Sequence, residues 1–367
     1  MYLKHLRVSG FRNLTEQSIE FSPGITFICG RNGEGKTNLL EAIYVLSLSK
    51  SYRTSKQQEL INWGSEKSAI FGVVRDSLNE TKLAVGIEKG KRELLVNDER
   101  VDSILKYLGH LTTIAFSPSD LALIKGGPSL RRKFIDKHIN DLKPTTMQHF
   151  LSYNKALANK SVLLAQNDVD RRALDSWNVI MAQSASIILE ERYSLLKKLE
   201  EELRHEENRI GLCDGEVELK LDTNIAEEFL SKDWKTLFEF YKKVSYQELS
   251  KRRAIFGPHR DELIIRLGGV DSRAFASQGQ TRSLVLSLKF ALLRLIEEGK
   301  GESPVLLLDD VDSELDSERR EALFEAIFSK ERQVIITGTN HSALSAKDTK
   351  DIQFLGLNQG KIQSISC

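Results

Sequence analysis

Cysteine is scarce in this chain. Cys29, Cys213 and Cys367, three in 367 residues, form an odd and widely spaced set. That spacing excludes a disulfide framework and a cysteine metal cluster, and it predicts a reducing, cytoplasmic setting. Cys29 itself is expected as a small buried residue. An excess of one charge is also lacking: 53 basic against 52 acidic side chains leave a net +1. Global affinity for nucleic acid is therefore excluded, and any such contact must be a local patch. Long apolar runs are missing. The richest, Ser283 to Ile296, is broken by Lys289 and Arg294 and is too short to span a bilayer. Met1 to Val8 alternates like a strand and has no apolar signal-peptide core, so no membrane anchor is expected. Repeats and low-complexity segments are absent.

What is present begins with Gly30-Arg31-Asn32-Gly33-Glu34-Gly35-Lys36-Thr37, a full match to the P-loop pattern. Ile25–Cys29 reads as a short buried strand entering it. The segment from Asn38 to Leu46 reads as the helix leaving it. The glycines let backbone N–H groups turn toward a phosphate, and the helix N-terminus adds its dipole. Lys36 would reach the outer phosphates, and the Thr37 hydroxyl would hold Mg²⁺. The chain is expected to bind ATP with Mg²⁺ through Gly30, Arg31, Asn32, Gly33, Glu34, Gly35, Lys36, Thr37 and Asn38.

With 40% hydrophobic residues, the chain can bury a sizeable core as two domains or one domain with an insertion. Strands dominate up to about residue 116: Leu3–Val8, Ile25–Cys29, Ala69–Val74, Leu83–Ile87, Glu93–Val96 and Leu111–Phe116. From Ser119 to about Arg253 strand signals nearly vanish. Apolar residues recur at three and four, first at Met147, Phe150, Leu151 and Leu157. A second series runs through Leu174, Trp177, Met181, Ile188, Leu195, Leu199 and Leu203. That helix should run about 35 residues and reach ~50 Å, packing on the first series as an antiparallel hairpin. Phe229, Trp234, Phe238 and Tyr241 mark another amphipathic helix. Strand–helix alternation returns with Leu263–Leu267, Thr281–Glu298, Val305–Asp309, Ser317–Phe328 and Val334–Thr337. A hairpin of Ile352–Leu355 and Lys361–Ile365 closes the chain. The expected architecture is α/β: a P-loop ATPase domain of the ABC type built from residues 1–117 and 254–367, with a mostly helical domain, 118–253, inserted.

Pro304 to Asp310 reads as a Walker B element, a buried parallel strand delivering a carboxylate to the sheet edge beside the P-loop. Asp309 would hold Mg²⁺ and Asp310 would polarise the attacking water, with Lys36 as the other catalytic residue. Ser277-Gln278-Gly279-Gln280 precedes a helix, 32 residues before Asp309. A plain N-cap accounts for a serine and glycine there. The order P-loop, Ser-x-Gly-Gln, Walker B nevertheless matches ABC-type ATPases, in which this segment binds the γ-phosphate held by a second subunit. Ser313-Glu314-Leu315-Asp316 stands where those proteins carry the D-loop. This order implies a dimer.

The chain resembles the RecF family of recombination mediators, related to the SMC-like ABC ATPases of DNA repair. The likeness rests on Gly10-Phe11-Arg12-Asn13, the P-loop, the stretch from Phe116 to Leu121 and the stretch from Lys125 to Asp136. It continues through Gly257-Pro258-His259-Arg260-Asp261-Glu262-Leu263, Ser277 to Arg282 and Leu306 to Asp316. It implies an ATP-dependent DNA-binding homodimer, acting at single-strand gaps and stalled forks in replication, recombination and the damage (SOS) response. It also implies that the chain helps RecO- and RecR-type proteins load recombinase on single strands. Asp310 stands where ABC transporters usually carry Glu, which suggests slow hydrolysis, and His341 is displaced from the expected switch position. A weak, DNA-stimulated ATPase is expected, a clamp or timer in place of a motor.

Candidate DNA contacts are Lys125, Arg131, Arg132 and Lys133 with Lys137; further basic runs are Arg171-Arg172 and Lys251-Arg252-Arg253. Arg131 and Arg132 could instead form structural ion pairs. Arg12 and Arg53 either approach the nucleotide or are surface charge, and Gly257 to Asp261 also reads as a plain turn. No helix–turn–helix, zinc finger or stacking platform is visible, so backbone and shape recognition is expected. Two alternatives stay open. One is a nucleotide-gated protein scaffold with weak DNA contact, which the neutral charge favours. The other is a transporter ATPase subunit, which the helical insert and Ser-Gln-Gly-Gln disfavour.

Overall fold

Ile25–Cys29 is apolar enough to be covered on both faces, and it lies inside a mostly parallel sheet. In the computed structural model the described residues are 1–210, 215–230, 233–310, 317–328, 332–339, 352–358 and 360–364. They form two units, Met1–Leu121 with Arg282–Cys367, and Ala122–Thr281.

The first unit holds two six-stranded sheets. One runs in the order Lys361–Ser364, Ile352–Asn358, Ile25–Cys29, Val334–Gly338, Val305–Leu308, Thr113–Phe116. Its strands are parallel except Lys361–Ser364, which returns from Ile352–Asn358 as an antiparallel hairpin. Val305–Leu308 and Val334–Gly338 are buried at every position, the first wholly apolar and the second apolar but for Thr337, as strands between parallel neighbours require. Because the strands run the same way, the ends Cys29, Leu308, Gly338 and Phe116 share one edge.

The other sheet is antiparallel, ordered Leu14–Glu20, Tyr2–Phe11, Lys67–Arg75, Glu80–Glu88, Lys91–Val96, Glu99–Arg100. Its strands alternate buried and exposed positions. Leu14–Glu20 was not legible as a strand, since only Leu14, Gln17 and Ile19 of its seven residues are buried. The helix Lys36–Leu48 joins the two sheets' cores. Its Leu39, Leu40, Ile43 and Leu46 share one buried cluster with Leu3, Leu6 and Ile70 of the antiparallel sheet and Ile28, Leu307 and Ile335 of the parallel one. A helix covered this way needs apolar residues nearly all round, and its sequence supplies them.

In the second unit, Met147–Leu164 and Arg171–Ile210 form the expected helical hairpin. The longer helix has 40 residues, which makes it ~60 Å long. Its buried stripe includes Leu174, Met181, Ile188, Leu195, Leu199 and Leu203, whereas Leu151 on the shorter helix is 45% exposed. Helix Trp234–Lys251 buries Leu237, Phe240, Tyr241 and Val244. Phe229 lies outside it, in a single turn, Glu227–Phe229. The region is not wholly helical. Val217–Asp222 pairs antiparallel with Glu262–Leu267, which pairs with Val270–Asp271. That pairing groups residues 254–281 with the helical unit, so the second boundary falls at 281 where the sequence suggested 253. Among the described residues no helix is long and apolar enough to cross a membrane.

Candidate nucleotide site

The P-loop leaves the carboxyl end of Ile25–Cys29 and closes on its own side chains. Gly33 and Gly35 take φ of 88° and 110°, left-handed backbone that favours glycine. A Cβ on Gly35 would also fall 2.6 Å from Asn13 Oδ1. The Arg31 N–H donates to Glu34 Oε2 over 3.1 Å. Lys36, the first residue of the helix and 6% exposed, donates from Nζ to the carbonyls of Gly30 (2.5 Å) and Arg31 (3.1 Å). Asn32 is exposed at the loop's apex. Asn13 braces the loop from the neighbouring hairpin: its Nδ2 donates to the Gly33 carbonyl (3.3 Å) and its Oδ1 accepts from Asn38 Nδ2 (2.7 Å). Cys29, expected to be buried, is partly exposed, and its thiol donates to the Thr339 carbonyl at 3.4 Å.

Asp309 follows the strand Val305–Leu308 at the same sheet edge. Its Oδ1 accepts from the hydroxyls of Thr37 and Thr337, both at 2.9 Å, and the Thr337 hydroxyl accepts from the Asp310 N–H at 3.1 Å. Burial raises the Asp309 carboxyl above its ordinary value; the Thr37 and Thr337 bonds oppose that shift and the adjacent Asp310 charge reinforces it. Asp310 itself sits at φ 49°, a strained position for a non-glycine residue. The structure thus brings together Lys36, Thr37, Asp309 and Asp310 from opposite ends of the chain. Thr337 escaped the sequence reading, since nothing local marks a threonine on a buried strand as a carboxylate's partner.

Glu41 also escaped it. The residue is fully buried on the P-loop helix, where the sequence shows only a helix former among apolar neighbours. Arg12 grips it with two bonds (3.0 and 2.8 Å), Arg53 with one (2.9 Å), and the Ser51 hydroxyl with another (2.5 Å). Arg53 Nη1 also donates to Asn38 Oδ1 at 2.6 Å. Arg12 and Arg53 are therefore not loose surface charge. They are fastened to the helix that carries Lys36 and Thr37.

Ser277 and Gln280 form a reciprocal capping box at the start of helix Gln278–Lys300. The Ser277 N–H donates to Gln280 Oε1 (2.9 Å) and the Gln280 N–H to Ser277 Oγ (3.1 Å). Ser277 and Gln278 are exposed, and Gly279 is partly so. Ser313, Glu314, Leu315, Asp316 and His341 lie outside the described residues.

The basic run from Lys125 to Lys137 is largely engaged within its own unit. Arg131 is 3% exposed, with Nε 2.6 Å from Glu262 and Nη1 donating to the carbonyls of Leu123, Ile124 and Gly126. That burial removes it as a phosphate contact. Lys125 Nζ donates to the carbonyls of Ser272, Arg273 and Ala276, which close a short helix. Arg132 donates to the Asp261 carbonyl (2.6 Å) and Lys137 to Asp141 (2.6 Å). Lys133, which is exposed, is the one candidate of the four with neither an ion pair nor a side-chain hydrogen bond among the described residues.

Gly257 to Asp261 is a turn built on a buried polar centre. Gly257 has φ 123°, and a Cβ there would meet the hydroxyls of Tyr153 and Tyr241 at 2.4 and 2.6 Å. Arg192 crosses beneath, bonding Asp136 (2.9 Å), Asp261 (2.7 Å) and the Pro258 carbonyl (2.8 Å). His259 Nδ1 lies 2.7 Å from the Tyr153 hydroxyl.

Residues 2–356 match the family model described as RecF/RecN/SMC N terminal domain. The chain is 35% identical over 371 residues to the DNA replication and repair protein RecF of Clostridium kluyveri, covering 100% of both chains. It is 32% identical over 364 residues to the protein of that name from Clostridium perfringens, covering 99% of this chain and 100% of the relative. A solved structure described as the recombination mediator protein RecF-ATP in the RecFOR pathway superposes with a TM-score of 0.87 at 32% identity, covering 100% of this chain and 98% of that one.

Proposed function

This chain belongs to the RecF family, and on that premise we propose that it binds ATP and DNA, with nucleotide controlling its grip on duplex or gapped DNA in replication and repair. The contact between Thr37 and Asp309 at the mouth of the P-loop carries the reading. The solved relative described as RecF-ATP supports it.

The loop's N–H groups and the helix N-terminus take the phosphates. Lys36 exchanges the Gly30 and Arg31 carbonyls for phosphate oxygens. Thr37 and Asp309 offer a hydroxyl and a carboxylate, hard oxygen donors that suit Mg²⁺. Bound there, Mg²⁺ would neutralise phosphate charge. Asp310 orients the attacking water. Its side chain is one methylene shorter than glutamate, which favours slow hydrolysis, a timer for release. Ser277, Gln278, Gly279 and Gln280 act on the nucleotide of a second copy in a head-to-tail dimer, and the Ser277 hydroxyl, an acceptor in the capping box, keeps its own hydrogen for a γ-phosphate. Closure of that dimer couples ATP to DNA through differential affinity for the closed state. RecO- and RecR-type mediators, and recombinase loading on single strands, follow from the family premise.

The net charge of +1 favours a second reading, a nucleotide-gated scaffold for protein partners. Fluorescence anisotropy of a labelled gapped duplex at fixed salt separates the two. Tight binding with ATP, absent with ADP or no nucleotide and lost in Lys36→Met, supports the DNA clamp. Equal weak binding in all three states would transfer the proposal to the scaffold.

A further inference from the structure

We propose that the helical unit grips nucleic-acid phosphates at the end where its hairpin turn meets the last turn of helix Trp234–Lys251, through Arg171, Arg172, Lys251, Arg252 and Arg253. The inference rests on the DNA-binding reading above and locates one of its contact surfaces.

Two basic runs, far apart in sequence, share one small core. Leu164, Leu174 and Ala254 are buried together, with Val169 and Leu249 packed against them. Arg171 and Arg172 lie between Val169 and Leu174. Lys251, Arg252 and Arg253 lie between Leu249 and Ala254. Each run is therefore bracketed by residues of the same cluster, and the fold brings the two to one end of the unit.

The presentation is rigid. Arg252 closes its helix in the left-handed region, φ 49°, and the N–H groups of Arg252 and Arg253 donate to the carbonyls of Leu249 and Glu248, both at 3.2 Å. Beyond the turn, Glu248 Oε1 accepts from the N–H of Ile255 (2.9 Å) and Phe256 (3.3 Å). The other Glu248 oxygen lies 2.6 Å from Lys160 Nζ, with both side chains fully buried. The backbone is thus held on both sides of the basic triplet while its side chains face solvent. On the hairpin side, Asp170 accepts from the Arg172 N–H at 2.9 Å and caps the long helix.

All five cations are exposed, and none forms an ion pair among the described residues. They contrast with Lys125, Arg131, Arg132 and Lys137, whose charges are spent inside the unit. Asp168, Asp170 and Asp175 share this end, but Asp170 is committed to its cap, and the lysine and arginine arms reach farther than aspartate. One cation would satisfy a helix C-terminal dipole; three at one C-terminus beside two from a second element exceed that need. Long cationic arms without an aromatic among them suit backbone phosphates, not base edges.

The test is anisotropy of the full chain with ATP and a labelled gapped duplex, from about 50 to about 200 mM salt. The variants are Arg171→Ala/Arg172→Ala and Lys251→Ala/Arg252→Gly/Arg253→Ala, glycine being chosen because position 252 is left-handed. Lys197→Ala/Lys198→Ala, which removes exposed cations elsewhere on the long helix, controls for net charge. Each tip variant should bind about tenfold or more weakly and flatten the slope of log affinity against log salt, by about two for the double variant and about three for the triple, while the control and ATP binding stay unchanged. Tip variants that bind like the unaltered chain, or a control equally weakened, would overturn the assignment. Failure of the unaltered chain to bind duplex with ATP would overturn the parent reading instead. Normal duplex binding with lost binding of polyglutamate would reassign the surface to acidic protein.

Discussion

The Thr37 hydroxyl donates to the Asp309 carboxylate over 2.9 Å, across 272 residues of chain. The contact ties the first turn of the P-loop helix to the carboxyl end of Val305–Leu308, two strands along the sheet from Ile25–Cys29. Thr37→Val removes a hydrogen bond to a charged group, about 1.5–3 kcal/mol. Calorimetric titration with Mg²⁺ and ATP should show affinity reduced about tenfold or more. Thr37→Ser should retain most of it.

Thr337 is 1% exposed and links Asp309 to the Asp310 backbone. Thr337→Val leaves the Asp310 N–H without that acceptor, at a cost of about 1–3 kcal/mol. Chemical denaturation should show this loss. Steady-state hydrolysis should fall further than ATP binding, because the substitution loosens the residue proposed to hold water.

Glu41, fully buried itself, carries two arginines. Glu41→Ala strands both charges, and a loss of about 3–5 kcal/mol is expected on unfolding by urea. Arg53→Ala should cost far less, about 1 kcal/mol, since its side chain is 38% exposed. Equal costs would contradict the assignment of Glu41 as the buried anchor.

Arg131 and Lys133 stand two residues apart and should behave oppositely. Arg131→Ala leaves Glu262 and three carbonyls without their donor and should cost about 3 kcal/mol or more, with duplex affinity per folded molecule unchanged. Lys133→Ala should leave the melting temperature in place. Thermal denaturation alongside DNA titration distinguishes them.

Burial holds the His259 imidazole at about 4, against a partial opposing pull from the Ala254 carbonyl. An unfolded histidine titrates near 6.5. Between those values the unfolded chain binds a proton that the folded chain does not, so stability falls as pH drops through the window. This group should account for about 3 kcal/mol lost from pH 6.5 to 4. His259→Gln should flatten that part of the profile in urea denaturation across pH. An unchanged slope would exclude His259 as its source.

How much of this was legible beforehand varies with the range of the cause. The P-loop, the Val305–Leu308 strand and the stripe of helix Arg171–Ile210 were readable, because glycine sterics, continuous apolarity and helical periodicity act over a few residues. Val217–Asp222 was not. Its alternation is short and half polar, and pairing with Glu262–Leu267, across the helix Trp234–Lys251, makes it a strand.

The sequence by itself determined that a phosphate loop, a carboxylate-bearing strand and a long helical hairpin would form, since each is encoded by its own neighbours. Tertiary structure decided which charges remain available. Arg131 and Arg252 both sit in basic runs, yet one is buried against Glu262 and three carbonyls and the other is turned to solvent by a left-handed cap. Glu41, Thr337 and Asn13 likewise acquired their roles from partners on other elements. Desolvation and pairing depend on what the fold places within a few ångströms, and that distance is not written in the spacing of residues along the chain.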